Sequence, residues 1–247
     1  RGASVSGMSF ELGRGKVLID IMPEEGRRNV NLLSDDDWEE LLDQSGIEED
    51  QWKELIDCFT DWVDENDEHA LNGAESDDAF YEDAGYQVKN APLDTVDELR
   101  LIKGFSEEIV YGSKPDKEGK GGGPGIARSL TTWGDGRVNI NTASREVLMT
   151  LPGIDEWSVD QIIGGRVGLD EKDGTRDDGW ESVDEAIADA ALPAELKDKI
   201  SVRDTKYLRV IARGEVGVVR AGIWCIMEVN GEQGVIRPVY WREEAMD

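Results

Sequence analysis

The chain has 247 residues and a mass of 27.4 kDa, enough for one large or two modest domains and for burying roughly 70–75 % of the unfolded surface. Hydrophobic residues make up 38 % and Trp occurs eight times, so a packed core is available and wholesale disorder is excluded. Against 27 basic residues stand 55 acidic ones, a net charge of -28 that opposes a phosphate backbone or an anionic membrane surface and favours divalent cations, basic partners or plain solubility.

No run of about 18 apolar residues is present, so nothing in the sequence spans a bilayer as a helix. The first residue is Arg, which reads as a fragment or mature form and leaves room for an upstream targeting or anchoring segment. Cys58 lies beside Phe59, and Cys225 between Trp224 and Ile226, so both read as buried thiols; two cysteines do not fix the redox compartment.

In chain order, Met8, Phe10 and Leu12, then Val17, Ile19 and Ile21, alternate with polar residues around Gly13-Arg14-Gly15, the pattern of a β-hairpin. From Asn31 the period turns helical. Ser34 with Asp37 forms a near-capping box, Trp38, Leu41 and Leu42 make an apolar stripe, and Gly46 is a stop. Trp52, Leu55, Ile56, Phe59 and Val63 mark a second helix, followed by a polar loop. Short helices are expected near Thr95 and Ser106, and the glycine-rich stretch 112–136 reads as a loop. Helices are further expected through Val147, Leu148 and Leu151, from Ser158 to Ile163, after the Ser182/Glu185 capping box, and after Pro193.

The last 40 or so residues return to period two. Leu208, Val210 and Ala212 are expected to share a face, as are Ile223, Cys225, Met227 and Val229, and Val235, Val239 and Trp241; turns at 214–217 and Asn230-Gly231 make an antiparallel meander. Residues 30–90 hold 21 acids against two bases, whereas 205–247 sum to zero. The acid load therefore belongs to a helical part that interrupts a β-rich body supplied by both chain ends, because an isolated hairpin is only marginally stable and the first needs the last strands. The expected division is an α+β fold with 1–28 and 205–247 as the sheet body and 29–204 as the inserted helical domain.

The densest polar cluster is Asp61, Asp64, Asn66, Asp67 and Glu68, then Asn72, Gly73, Glu75, Asp77 and Asp78. Carboxylates crowded at a helix C-terminus repel one another and the dipole, unless solvent or a cation screens them. Calcium takes six to eight oxygens of this type, so the two readings are a calcium site and a solvated acidic loop. Counted from Asp64, Glu75 takes the twelfth place of an EF-hand-like loop, but His69 stands at the sixth, where a sharp turn needs Gly. A second acidic stretch at 170–179 is partly neutralised by Lys172 and Arg176.

Catalytic inventory is thin. His69 is the one histidine, which disfavours Ser-His-Asp and Cys-His hydrolases, and one His with two distant Cys makes no closed zinc site. The run from Gly119 to Gly125 lacks the Gly-Lys-Ser/Thr ending of a P-loop. Residues 139–166, with Leu151-Pro152-Gly153-Ile154 between two helices, look like a helix-hairpin-helix unit. Asp155 and Glu156 occupy the place of its usual phosphate contact, so the unit reads as a packing or docking module.

Five stretches in register resemble one family, the minor pseudopilin K of type II secretion systems. They are Gly26-Arg27-Arg28-Asn29-Val30-Asn31-Leu32-Leu33, Asp61-Trp62-Val63-Asp64 with Gly73-Ala74-Glu75 and Tyr81, Lys89-Asn90-Ala91-Pro92-Leu93, Val96 to Gly104, and Asn139-Ile140-Asn141-Thr142-Ala143. The resemblance implies a pilin-like antiparallel sheet body with a large inserted helical domain. It also implies a non-enzymatic subunit at the pseudopilus tip, working with minor pseudopilins I and J in the periplasm, and calcium in the helical domain. By position the implied ligands are Asp61, Asp64, Asn66, Asp67, Glu75 and Asp78. The family's long apolar N-terminal helix, its inner-membrane anchor, has no counterpart in these residues. The rival reading is an acidic helix-hairpin-helix module that binds nucleic acid.

Overall fold

The computed structural model of the chain describes residues 4–114, 122–167, 178–231 and 234–245. They form two compact units, one of residues 1–26, 133–144 and 160–247, the other of 27–132 and 145–159.

The first unit carries a five-stranded antiparallel sheet in the order β1 (Val5–Leu12), β2 (Gly15–Pro23), β7 (Tyr207–Val216), β8 (Val219–Asn230), β9 (Val235–Ala245). The first and last segments of the chain are thus neighbours, with Val17 opposite Gly214 and Ile21 opposite Val210. Residues directly opposite share a face. One face therefore gathers Met8, Phe10, Val17, Ile19, Ile21, Leu208, Val210, Ala212, Ile223, Cys225, Met227 and Trp241. The other carries charge: Asp20 pairs with Arg213 at 2.6 Å, Arg237 with Glu228 at 2.6 Å, and the Arg209 and Arg242 guanidinium carbons lie 4.9 and 5.2 Å from the Trp224 ring centre.

The apolar face is uncovered over much of its area, with Phe10 48 %, Ile223 44 % and Trp241 59 % exposed. Within β9 the expected common face of Val235, Val239 and Trp241 does not form. A register shift opposite Ile226/Met227 leaves Val239 as the extra residue, so Trp241 faces Cys225 while Val235 faces Asn230 on the other side. Both cysteines are free. Cys58 is fully buried, which pushes its thiol up to about 12, whereas Cys225 is only half-buried.

The helical unit is built from α1 (Asp35–Gln44), α2 (Glu49–Val63), α3 (Ala79–Ala84), α4 (Glu107–Tyr111) and α5 (Arg145–Met149). Ser34 and Asp37 form the capping box of α1, and Gly46 leaves it at φ +74°. The α1 and α2 stripes bury Trp38, Leu41, Leu42, Leu55 and Phe59 in one core, with the Trp38 and Phe59 rings 4.8 Å apart. The short α3 was not readable from period, since six residues complete fewer than two turns; its signals are local, Asp78 at the N-cap and Gly85 at φ +78°. The expected helices near Thr95 and after Pro193 are 3-10 helices over Val96–Leu101 and Ala194–Asp198. The described part of the glycine-rich stretch also holds structure, a 3-10 helix at Ile126–Ser129 and β4 (Leu130–Thr131).

One device occurs twice. β3 (Arg28–Asn29) bridges β4 in parallel, and β5 (Val138–Asn139) bridges β6 (Ile200–Ser201) likewise. After each, an Asn side chain accepts from the backbone two residues on, Asn29 from Asn31 at 3.1 Å and Asn139 from Asn141 at 3.0 Å. The second Asn then clamps a distant backbone with both amide ends. Asn31 holds Leu93 at 2.9 and 2.8 Å, and Asn141 holds Trp180 at 3.1 and 2.8 Å.

The β5–β6 bridge and the Asn141 clamp help explain why residues 133–144 and 160–204 belong to the sheet's unit, whereas 29–204 was expected as one insertion. Last come α6 (Glu156–Gly165) and α7 (Val183–Asp189), the latter with the Ser182/Glu185 capping box.

Arg28, 4 % exposed, ties three parts of the helical unit together. It forms an ion pair with Asp37 and donates to the Thr150 carbonyl, while Asp37 itself closes the α1 capping box. Removing one member of such a buried pair strands the other charge. Arg28→Met is therefore expected to destabilise the protein by about 3–5 kcal/mol in urea unfolding. Adding Asp37→Asn should cost clearly less than the sum of the two single changes, and strict additivity would refute the coupling.

Candidate functional site

The acidic loop begins where α2 stops at Asp64 and is threaded by its own side chains. Asp64 accepts from the Asn66 N–H at 3.1 Å, and Asn66 from the Glu68 N–H at 2.7 Å. Two carboxylates of α2, one turn apart, then pin the returning chain. Asp61 accepts from the Ala70 N–H at 3.0 Å, and Asp57 accepts from both the backbone and the side-chain amide of Asn72, at 2.9 and 2.8 Å. Gly73 passes so close that a Cβ there would sit 2.0 Å from an Asp61 oxygen, so this position has no room for a side chain.

Glu75 is the anomaly of the loop. It is 2 % exposed, and neither carboxylate oxygen has a hydrogen-bond partner. Burial first, then the neighbouring Asp61, Asp64 and Asp67 charges, pushes its carboxyl above the ordinary range. Asp61, 1 % exposed, is likewise raised by burial and by Asp64, against the Ala70 hydrogen bond. An unpartnered buried carboxylate among three others is costly unless a proton or a cation accompanies it.

The six expected ligands therefore separate. The charges of Asp61, Asp64 and Asp67 act on Glu75, and Asn66 belongs to the same loop. Asp78 is turned to other work: it accepts from the Phe80 N–H at 2.8 Å at the start of α3 and pairs with Lys103 at 2.8 Å, which holds its carboxyl low. Among the described residues, no three His, Cys, Asp or Glu side chains lie close enough together to hold one metal ion.

His69, the expected obstacle at the sixth loop position, is paired with Asp77 at 2.7 Å. Sequence reasoning missed Asn90, which bonds Asp67 at 3.0 Å from a left-handed backbone at φ +48°. Its position inside Lys89-Asn90-Ala91-Pro92-Leu93 was the available signal. The second acidic stretch lies, through residue 177, outside the described residues.

The other resembling stretches turn out to be latches rather than chemistry. Lys89 pairs with Asp94 and Glu98, each at 2.7 Å, and the Tyr81 hydroxyl accepts from the Lys103 N–H at 3.1 Å. In the Pro152-Gly153-Ile154-Asp155 hairpin, Asp155 accepts from the Ser158 N–H at 2.8 Å, so its carboxylate caps α6 at the point where a phosphate contact was considered.

The tight passage of Gly73 gives a direct test. Gly73→Ala should destabilise the protein by about 1–3 kcal/mol, the usual cost of overpacking. Asp61→Ala in the Gly73→Ala background should recover part of the space-filling penalty; a Gly73→Ala protein with unchanged urea midpoint would contradict the geometry.

Two family models, both described as type II secretion system (T2SS), protein K, match residues 24–115 and 138–203. A type II secretion system protein K from Klebsiella pneumoniae is 30 % identical over 116 residues, covering 42 % of this chain and 36 % of that protein. The alignment thus spans little more than a third of that relative's length. A chain of the crystal structure of the GspK-GspI-GspJ complex from the enterotoxigenic Escherichia coli type 2 secretion system has the same fold. Its TM-score is 0.73 at 15 % identity, over 98 % of this chain and 84 % of that one. The matched spans take in the Arg28 latch, both Asn clamps and the Glu75 loop, and the chain belongs to the protein K family of type II secretion systems.

Proposed function

We propose that this chain is the periplasmic part of a minor pseudopilin that caps the type II secretion pseudopilus and assembles there with minor pseudopilins I and J. In this reading it supports export across the outer membrane as a structural, non-enzymatic subunit. The observation that carries the reading is the five-stranded sheet with its one continuous apolar face, in a fold shared with the GspK-GspI-GspJ structure. A half-exposed apolar sheet face of this extent needs a covering layer. Among the described residues no helix is long and apolar enough to cross a membrane. The family's long apolar N-terminal helix, embedded in the inner membrane at its far end, is the layer that suits the face. The nucleic-acid alternative has no support, since the charge is -28 and Asp155 stands in the hairpin.

We further propose that the acidic loop holds calcium. The donors are hard oxygens of the kind calcium takes, and Glu75 has two buried oxygens without partners. Glu75, Asp61, Asp64 and Asp67 are the proposed carboxylate ligands, with Asn66 as a neutral oxygen donor. Asp78 ranks last, because Lys103 already neutralises it. A bound cation would supply positive charge that offsets the mutual repulsion of the buried acids, and the Asp57 and Asp61 bonds already hold the loop against α2.

The tests are direct. Co-expression with minor pseudopilins I and J of the same system should yield a complex through purification; failure of the three to co-elute would count against the assembly. Calcium should raise the melting temperature of EDTA-treated protein. Glu75→Gln should abolish that response and, in EDTA, melt about 2–4 °C higher than wild type, the shift that ~1 kcal/mol makes in a protein of this size. Asp78→Asn should keep the calcium response. A wild-type protein indifferent to both EDTA and calcium would sink the site.

A further inference from the structure

One end of the five-stranded sheet is formed by two tight turns side by side. Gly13-Arg14 links β1 to β2 beyond the pair Leu12–Gly15, and Gly217-Val218 links β7 to β8 beyond the pair Val216–Val219. Gly13 and Gly217 stand at φ +64° and +63°, the left-handed first position of a two-residue hairpin loop. The two hairpins touch. A Cβ on Gly15 would lie 2.5 Å from a Val216 methyl, so glycine there lets the tips pack together as one ledge. All of these residues belong to the sheet's unit.

The side chains on the ledge are not those of ordinary turns, which favour Gly, Pro, Asn, Asp and Ser. Leu12 is 72 % exposed, Val219 66 %, Val216 54 % and Val218 98 %. Arg14 and Val218 lie beyond the last paired residues, so a layer over the strands themselves leaves them free. Arg14, Lys16 and Arg220 are exposed beside the apolar tips, and residues 12–16 and 216–220 contain no acid in a chain that has 55. Two acids border the ledge. Glu11 stands opposite Lys16 in register, and Glu215 lies 4.0 Å from Arg220, beyond a hydrogen bond. Among the described residues, neither Arg14 nor Lys16 has an ion pair. In a protein of net charge -28, this end of the sheet is therefore locally basic and apolar at once.

We propose that the twin hairpin tips dock on a phospholipid bilayer surface bearing anionic headgroups, with Leu12 and Val218 at the headgroup–acyl boundary and Arg14, Lys16 and Arg220 on the phosphates. Cations set around an apolar centre are the combination that an anionic lipid surface selects. A convex tip also suits a fluid surface, which closes around it, whereas a protein partner would need a pocket of matching shape. The net charge does not prevent the contact: at physiological ionic strength the Debye length is about 8 Å, so exposed charge farther away is largely screened. The proposal does not depend on the pseudopilin reading and shares no residue with the acidic loop.

Co-sedimentation of the 247-residue chain with phosphatidylglycerol/phosphatidylcholine vesicles at about 0.15 M salt tests it, with pure phosphatidylcholine vesicles as the comparison. Binding is expected at millimolar lipid, weaker than the association constant of about 10⁴ M⁻¹ that a single acyl chain confers, and weaker still on the neutral vesicles. Leu12→Asp combined with Val218→Asp should weaken it at least about tenfold. Arg14→Glu combined with Arg220→Glu should remove the preference for anionic vesicles. Ile236→Asp, 59 % exposed at the opposite end of the sheet, should change nothing, and the melting temperature of each variant checks that it folds. The proposal fails if no protein sediments with anionic vesicles up to about 10 mM lipid, if neutral vesicles bind it equally, if the Leu12/Val218 variant binds like wild type, or if Ile236→Asp is as damaging as that variant.

Discussion

The pairing of β2 with β7 joins strands nearly two hundred residues apart, and without it the five strands would be a hairpin and a separate meander. An isolated two-stranded hairpin has too little buried surface to persist, so β1 and β2 depend on the C-terminal strands for their existence. Closing so long a connection costs only slowly growing chain entropy, because the cost rises with the logarithm of length. Register along that seam is set from both faces. Val17, Ile19 and Ile21 continue the apolar face, while Asp20 meets Arg213 and Glu24 meets Arg209 on or beside the charged one. A slip by one residue would exchange the faces and place Asp20 among aliphatic side chains.

Several polar residues of the stretches that carry the family resemblance satisfy backbone groups far away in sequence. Arg28 reaches Thr150, and Asn31 reaches Leu93; in the sheet's unit, Asn141 does the same for Trp180. Irregular connections leave N–H and C=O groups unpaired, and an amide side chain with one donor and one acceptor end can satisfy both at once. The repeated parallel bridge, Asx turn and clamp show the same solution at two places in one chain.

The acidic loop is organised differently. Asp61, Asp64, Asp67, Asp77 and Asp78 are spent on loop N–H groups, Asn90, His69 or Lys103, and the buried Glu75 is left without a hydrogen bond. Order in the loop thus comes from the Asp57 and Asp61 anchors on α2, while Glu75 retains an electrostatic debt that a cation is suited to settle.

Local features were legible in the sequence: both hairpin strands, the capping boxes of α1 and α7, the α1 and α2 stripes, and the strands of the meander each follow from period and short-range signals. So was the neighbourhood of the two chain ends, because a hairpin that cannot stand alone must find partners. Tertiary structure decided the rest. Whether an acid in the 61–78 loop is capping, paired or unpartnered depends on what folds over it, and composition is blind to that: Asp78 and Glu75 are both carboxylates, yet one pairs with Lys103 and the other is buried without a hydrogen bond. The β9 bulge, the two-residue parallel bridges and the membership of residues 160–204 in the sheet's unit were equally beyond reach. They rest on one extra residue in a strand and on a few long-range hydrogen bonds, which leave no period in the chain.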